Sequence, residues 1–385
     1  MSYRVAFFAI GVAYLVTLFG MFVSGQWLWD AQGHLVPTDF VNVYAAGKLA
    51  LSGHAPSVYD WPSHLSVEVT LLGPRLPTDQ YYAWHYPPLF LPVAALLALL
   101  PYQVAFLSWG ASTLAIYLFV AWRMLPSRSA TLLAAFAFPP TFYNLMLGQN
   151  GLASAMLVGG TLLTLERRPW LSGFILGLLT FKPQLGVLFP LALALGGHWR
   201  TILAAAATSL ALAAMTLVLW GSQAWIAFVH SVPASFDVLL AQGLEGWEKV
   251  DSIYGFARWA GMQQTGAWLV QATLFGLAAT GVAVLWKSDA TRQLKYAGLA
   301  TASLLATPYL YIYDLQTLAV AIGFLERDAS LDTRERVVVI VGAVMMLAGP
   351  VAHAPTGLFA VMSVAVLIIL RACRGSEGDR QFAFS

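Results

Sequence analysis

Six short polar segments, each set between apolar stretches, hold the residues of this chain that could do chemistry. Asp39 sits in Pro-Thr-Asp-Phe and is followed by Asn42, Tyr44, Gly47 and Lys48 at helical spacing. His85-Tyr86-Pro87-Pro88 comes next, then Gly148-Gln149-Asn150-Gly151 and Phe181-Lys182-Pro183-Gln184. The run from Thr307 to Asp314 carries Tyr309, Tyr311 and Tyr313, and His353-Ala354-Pro355 closes the series. A carboxylate such as Asp39 can take the proton of a hydroxyl as a general base. Lys182 suits the negative charge that develops on a phosphate leaving group, with Gln149, Asn150, Gln184, His85 and Tyr86 around phosphate or sugar. Tyrosine rings and hydroxyls suit a sugar. Asp314 is a second carboxylate, able to orient an acceptor or to pair with Lys182. No cluster of His, Asp and Glu has ligand spacing, which argues against a required metal.

Each residue also has a plainer role to weigh. Asp39 is well placed to cap a helix over Phe40 to Leu51, and both roles are compatible. Lys182 could snorkel from a helix end, and Gln149 with Asn150 could form only a turn. His85 and His353 read as interfacial histidines before catalytic groups, with His85 kept as a donor near phosphate and His353 on the acceptor side. Asp60, Asp79, Glu245, Glu248 and Asp251 read as solvated loop charges. Gly173 and Gly177, spaced GxxxG, read as a helix-packing surface.

The elements that must position these residues are membrane helices. Of 385 residues 59% are hydrophobic and 10% charged, and the mean hydropathy is +0.71; a chain of that composition has lipid as its solvent. The net charge of +2, dispersed singly and in pairs, excludes a nucleic-acid surface. The single cysteine, Cys373, excludes an intramolecular disulfide and a Cys-based metal site. Apolar windows of about 20 residues fall near 5–23, 103–122, 130–147, 150–165, 169–181, 184–197, 201–220, 265–286, 296–307, 312–325, 336–349 and 356–371. The first reads as a retained signal anchor. Leu89 to Leu100, framed by Pro87, Pro88 and Pro101, is short for a crossing and reads as an interfacial half-helix. Pro183 and Pro190 predict tilted or unwound helices around them.

Charge fixes the sides. With both ends inside, fifteen of the twenty Lys and Arg residues fall in cytoplasmic segments and only Lys48, Arg75, Lys182, Lys249 and Arg258 outside, as the positive-inside rule requires. All six polar segments then share the outer face, with two long outer loops at 24–102 and 221–264. The expectation is one all-α polytopic domain over residues 1–374 with about twelve transmembrane helices and a mobile cytoplasmic tail over 375–385.

The order of motifs, Asp39-Phe40 before a small-residue helix, then Tyr86-Pro87-Pro88-Leu89, Gly148-Gln149-Asn150 and a Gly-rich span ending in Lys182-Pro183-Gln184, resembles glycosyltransferase family 87. The likeness runs over most of residues 37–200 and more loosely through Thr307 to Leu315. It implies the GT-C architecture, with interfacial helices in the first outer loop, and a bacterial inner membrane with the site on the periplasmic side. It further implies transfer of a hexose, most often mannose, from a polyprenyl-phosphate donor to a glycolipid or glycan, with no cofactor. Asp39 matches the acidic residue that such enzymes carry near the start of the first outer loop. Asn42, Tyr44, Tyr309, Tyr311, Asp314 and His353 fall to the acceptor or sugar side. An inverting transfer needs only one base, whereas a covalent retaining mechanism wants two carboxylates about 5–5.5 Å apart. The rival reading is a transporter or flippase without chemistry, which wants polar groups at the midplane reachable from both faces; a third is a subunit that only binds the lipid.

Overall fold

The computed structural model describes residues 3–73, 82–125, 128–244 and 246–382; Arg75, Asp79 and Glu245 lie outside them. Helices follow one another throughout: α1 (Tyr3–Val23), α2 (Phe40–Leu51), α3 (Trp61–Leu72), α4 (Leu91–Ala98), α5 (Tyr102–Met124), α6 (Arg128–Ala137), α7 (Pro139–Leu147), α8 (Gly151–Thr164) and α9 (Pro169–Leu178). Then come α10 (Pro183–Gly186), α11 (Phe189–Leu195), α12 (Trp199–Phe236), α13 (Ile253–Trp259), α14 (Gln264–Lys287), α15 (Arg292–Leu305), α16 (Gln316–Asp328), α17 (Thr333–Ala352) and α18 (Gly357–Phe382). Residues 375–382 of the expected tail fall within the last turns of α18.

Among the described residues six helices are long and apolar enough to cross a membrane, α1, α5, α12, α14, α17 and α18, and a seventh crossing results if α6 and α7, bent by 60°, count as one. The bend falls where Pro139 and Pro140 follow Phe138, because proline excludes the preceding residue from helical backbone and removes a donor. The other expected crossings are shorter. α8 has 14 residues, α9 10, α15 14 and α16 13, so at 1.5 Å per residue each falls short of the roughly 30 Å of hydrocarbon. Among the described residues six or seven helices, rather than the expected twelve, thus have full crossing length. α8 and α15 are buried almost all round, whereas α12 exposes Leu203, Leu210, Leu217 and Val218. A helix covered by other helices need not match the bilayer itself.

Small residues allow the inner helices to approach. A side chain at Gly173 would meet Thr201 O at 2.3 Å and one at Gly177 would meet Thr208 Cβ at 2.5 Å, so this GxxxG face packs on α12 as its spacing predicts. α9 ends in a 3-10 turn over Leu179–Phe181, and Pro183 and Pro190 start the short α10 and α11, which is the unwinding those prolines imply. α12 is interrupted at Gly221, whose φ of 72° leaves helical space.

Before α5 the chain forms a cap of short helices. α4 is buried along one side against α2, where a Cβ on Gly47 would stand 2.1 Å from Ala94 O, while Leu96 and Leu99 stay exposed. Asp60 is not merely solvated: it caps α3 by accepting from Ser63 N at 3.1 Å. Inside this cap His64 and Glu68 are fully buried, with Nε2 to Oε1 at 3.4 Å, and Tyr82 N donates to Glu68 Oε2 at 3.2 Å. Burial pushes the Glu68 carboxyl up.

The loops between helices gather into two sets. In one, Tyr296 donates to Glu166 at 2.9 Å and Arg371 forks onto Glu335 at 2.8 and 2.7 Å while donating to Leu325 O at 2.6 Å. The other set contains all six polar segments.

Candidate active site

The polar segments meet around one cavity of about 760 Å³. Asp39 occupies the position before α2 but does not cap it: its backbone is helical and its side chain makes no capping bond. Gln149 Nε2 donates to Asp39 Oδ2 at 2.8 Å. The carboxylate is thus turned into the cavity by a residue 110 positions away, and capping does not explain it.

The Gly148–Gly151 turn has a geometric reason for its two glycines. Gly148 ends α7 at φ 71° with Phe40 and Phe106 packed over it. At Gly151 a Cβ would fall 1.9 Å from Tyr313 O, so only glycine lets this turn touch the tyrosine-rich one. Asn144 ties the two. Its Nδ2 donates to Tyr313 O at 3.0 Å and to Pro140 O at 2.8 Å, and its Oδ1 accepts from Gly151 N at 2.7 Å. Asn150 lies beside it and donates to the Tyr86 hydroxyl at 2.7 Å. The Tyr86 ring packs on Phe90, which stacks on Phe181 at 4.9 Å; that aromatic column carries the cap onto the turn that holds Lys182. Burial pushes the Tyr86 hydroxyl pKa up, so it stays a neutral donor and acceptor.

Lys182 Nζ donates to Asp314 Oδ1 at 2.5 Å, and both side chains are 3% exposed. The ammonium also lies 5.2 Å from the Tyr313 ring centre. Tyr311 and Tyr313 stack at 5.4 Å, with Tyr309 edge-on to Tyr311 at 5.0 Å. These tyrosines and Lys182 line the cavity, as do Asn42, His85, Gln184 and His353. His85 Nδ1 lies 2.9 Å from Ser235 Oγ, and burial lowers the imidazole pKa to about 4, which keeps it neutral at pH 7. His353 ends α17 at φ 48°, and its carbonyl accepts from Trp259 Nε1 at 2.9 Å. Three sequence-derived candidates stand back from the wall. Tyr44 is buried and donates to Leu100 O at 2.8 Å, while Asn150 and Asp314 act through Tyr86 and Lys182.

Several residues that build or line the site escaped the sequence reading. Asn144 was legible as a lone amide in an apolar stretch, where a polar group is costly unless used. Asp251 gave no such signal and counted as a solvated loop charge; instead it is buried, its Oδ1 accepts from Gly357 N at 2.8 Å and it lines the cavity. Glu248 lines the cavity as well. Among the described residues no three His, Cys, Asp or Glu side chains form a metal-ligating group.

No curated protein matches the chain, and no solved structure does. The family model of glycosyltransferase family 87 matches residues 84–308, which includes the His85, Gln149 and Lys182 segments and Asp251, while Asp39 precedes the match and Asp314 and His353 follow it. With more than half its length matched, and with helices apolar enough to cross a membrane, the chain belongs to glycosyltransferase family 87.

Proposed function

We propose that this membrane glycosyltransferase moves a hexose, most simply mannose, from a polyprenyl-phosphate donor to a glycolipid or glycan acceptor on the outer face of a bacterial inner membrane, with inversion at the donor carbon. The observation that carries the reading is the shared cavity of Asp39 and Lys182. Asp39 takes the acceptor hydroxyl proton as that oxygen bonds to the sugar carbon. The bond from that carbon to the phosphate oxygen breaks, its electron pair leaves with the polyprenyl phosphate, and Lys182 with Gln184 and His85 faces the departing charge. Gln149 holds the base in place, and the tyrosines offer the sugar flat faces. The crowding of polar groups into one set of loops supports the outer face, because the basic loops belong to the other set.

The test is sugar transfer in reconstituted membranes by the wild type and Asp39→Asn, with radiolabelled polyprenyl-phosphate mannose and a lipid extract of the source. Loss of a general base lowers kcat by about 10²–10⁴-fold. Transfer that survives in the variant removes Asp39 from the mechanism. If both proteins bind donor lipids and neither transfers sugar, the carrier reading replaces this one.

A further inference from the structure

Asp251 is a buried carboxylate that the roles above leave unused. Its backbone N–H donates to Leu310 O at 2.7 Å and the Ser252 hydroxyl donates to Pro308 O at 2.6 Å, so this loop runs as a short bridge along the tyrosine turn, Val250 against Tyr311. Its side chain meets the start of α18, where Gly357 N–H holds Oδ1. The approach depends on glycine, since a Cβ at Gly357 would fall 2.7 Å from Oδ2. Three elements therefore fix this side chain while leaving it 5% exposed in the cavity wall. Oδ2 has no hydrogen-bond partner among the described residues. Oδ2 is not among the enclosed unsatisfied atoms and keeps its accessible surface in the cavity, where a ligand hydroxyl can donate to it.

We propose that Asp251 binds a hydroxyl of the acceptor sugar through Oδ2 and sets the acceptor in the cavity. The inference rests on the transferase reading. A carboxylate repels the phosphate of the donor, which belongs beside Lys182, and attracts the hydroxyls of a neutral pyranose. Burial, with the charge of Asp314 adding to it, raises the Asp251 carboxyl pKa to about 7. Tyr143 from α7 and Asp314 interact with its charge, and Lys182, Tyr311, His353 at the end of α17, and Glu248 and Lys249 on its own loop line the same cavity.

The full chain in nanodiscs, wild type and Asp251→Asn, is assayed with polyprenyl-phosphate mannose as donor and octyl α-mannopyranoside as acceptor between pH 6 and 8.5. Asn keeps an acceptor for Gly357 N–H and loses the charge. The acceptor KM rises about 10- to 100-fold in the variant, with kcat and the donor KM little changed. In the wild type the acceptor KM rises as pH falls below about 7, where the carboxyl protonates, and in the variant it is flat. A variant that moves only the donor KM, or a wild-type acceptor KM flat across the pH range, overturns the proposal; the wild-type profile decides even if the variant does not fold. Should the wild type transfer no sugar at all, the transferase reading fails by itself. Tryptophan fluorescence titrated with methyl α-mannopyranoside then separates the two: equal affinity in both proteins sinks the role of Asp251, and binding lost in the variant retains it as a sugar-binding carboxylate.

Discussion

Lys182 and Asp314 neutralise each other inside the protein, so removing one leaves the other charged and alone. Lys182→Met should cost about 3–5 kcal/mol, and Lys182→Met with Asp314→Leu should recover most of it, read as the thermal unfolding midpoint in detergent. Stability and transfer should then part company: the double variant is stable and inactive if Lys182 meets the leaving phosphate, and a double variant transferring at the wild-type rate removes that role. His85 titrates in the opposite sense to a paired histidine. Its folded pKa, about 4, lies below the ordinary value, near 6.5. The unfolded chain therefore takes up the proton first, and stability drops as pH falls from about 6.5 toward 4. In His85→Gln that part of the slope should vanish; an unchanged slope would place the proton elsewhere.

At the scale of elements the junction between α7 and α8 decides the site. Asn144 joins the Gly148–Gly151 turn to the tyrosine turn, and Asn144→Ala leaves buried partners unsatisfied at about 1–3 kcal/mol each. We expect a lower unfolding midpoint together with loss of transfer, and Asn144→Asp, which keeps the acceptor for Gly151 N–H but turns a carboxylate oxygen toward the Tyr313 and Pro140 carbonyls, should restore neither. Much of this was legible beforehand. The proline breaks, the GxxxG face, the half-helix before α5 and the polar turns are local signals, and each of those elements is present. Asp39 was legible as a residue but not in its partner, because Gln149 reaches it only through the tertiary contact of the Gly148 turn with Phe40 at the start of α2. Asp251 was illegible for the same reason. Nothing in the loop before α13 announces that it pairs with Tyr311 or meets α18, since a single bridge has no periodicity.

At the scale of the molecule the count of crossings was the least legible feature. Hydropathy marks a helix as apolar without distinguishing lipid from protein as the apolar partner, so α8, α15 and α16 read as spans although they are short and enclosed. Sidedness remains testable with the one native thiol. Cys373 is exposed in the C-terminal half of α18, in a segment that the charge pattern assigns to the cytoplasm. A membrane-impermeant maleimide should label it in inverted vesicles and not in intact spheroplasts, whereas His54→Cys in a Cys373→Ser background should behave in reverse. The opposite labelling would turn the protein over.

The bridge between Val250 and Tyr311 also bears on engineering. Retargeting such enzymes by exchanging the 221–264 segment alone between relatives would graft half of a joint, since Ser252 and Asp251 are built onto the Pro308 and Leu310 carbonyls. The unit of exchange is that segment together with 307–314, and chimeras that respect this seam are the ones in which altered selectivity should survive.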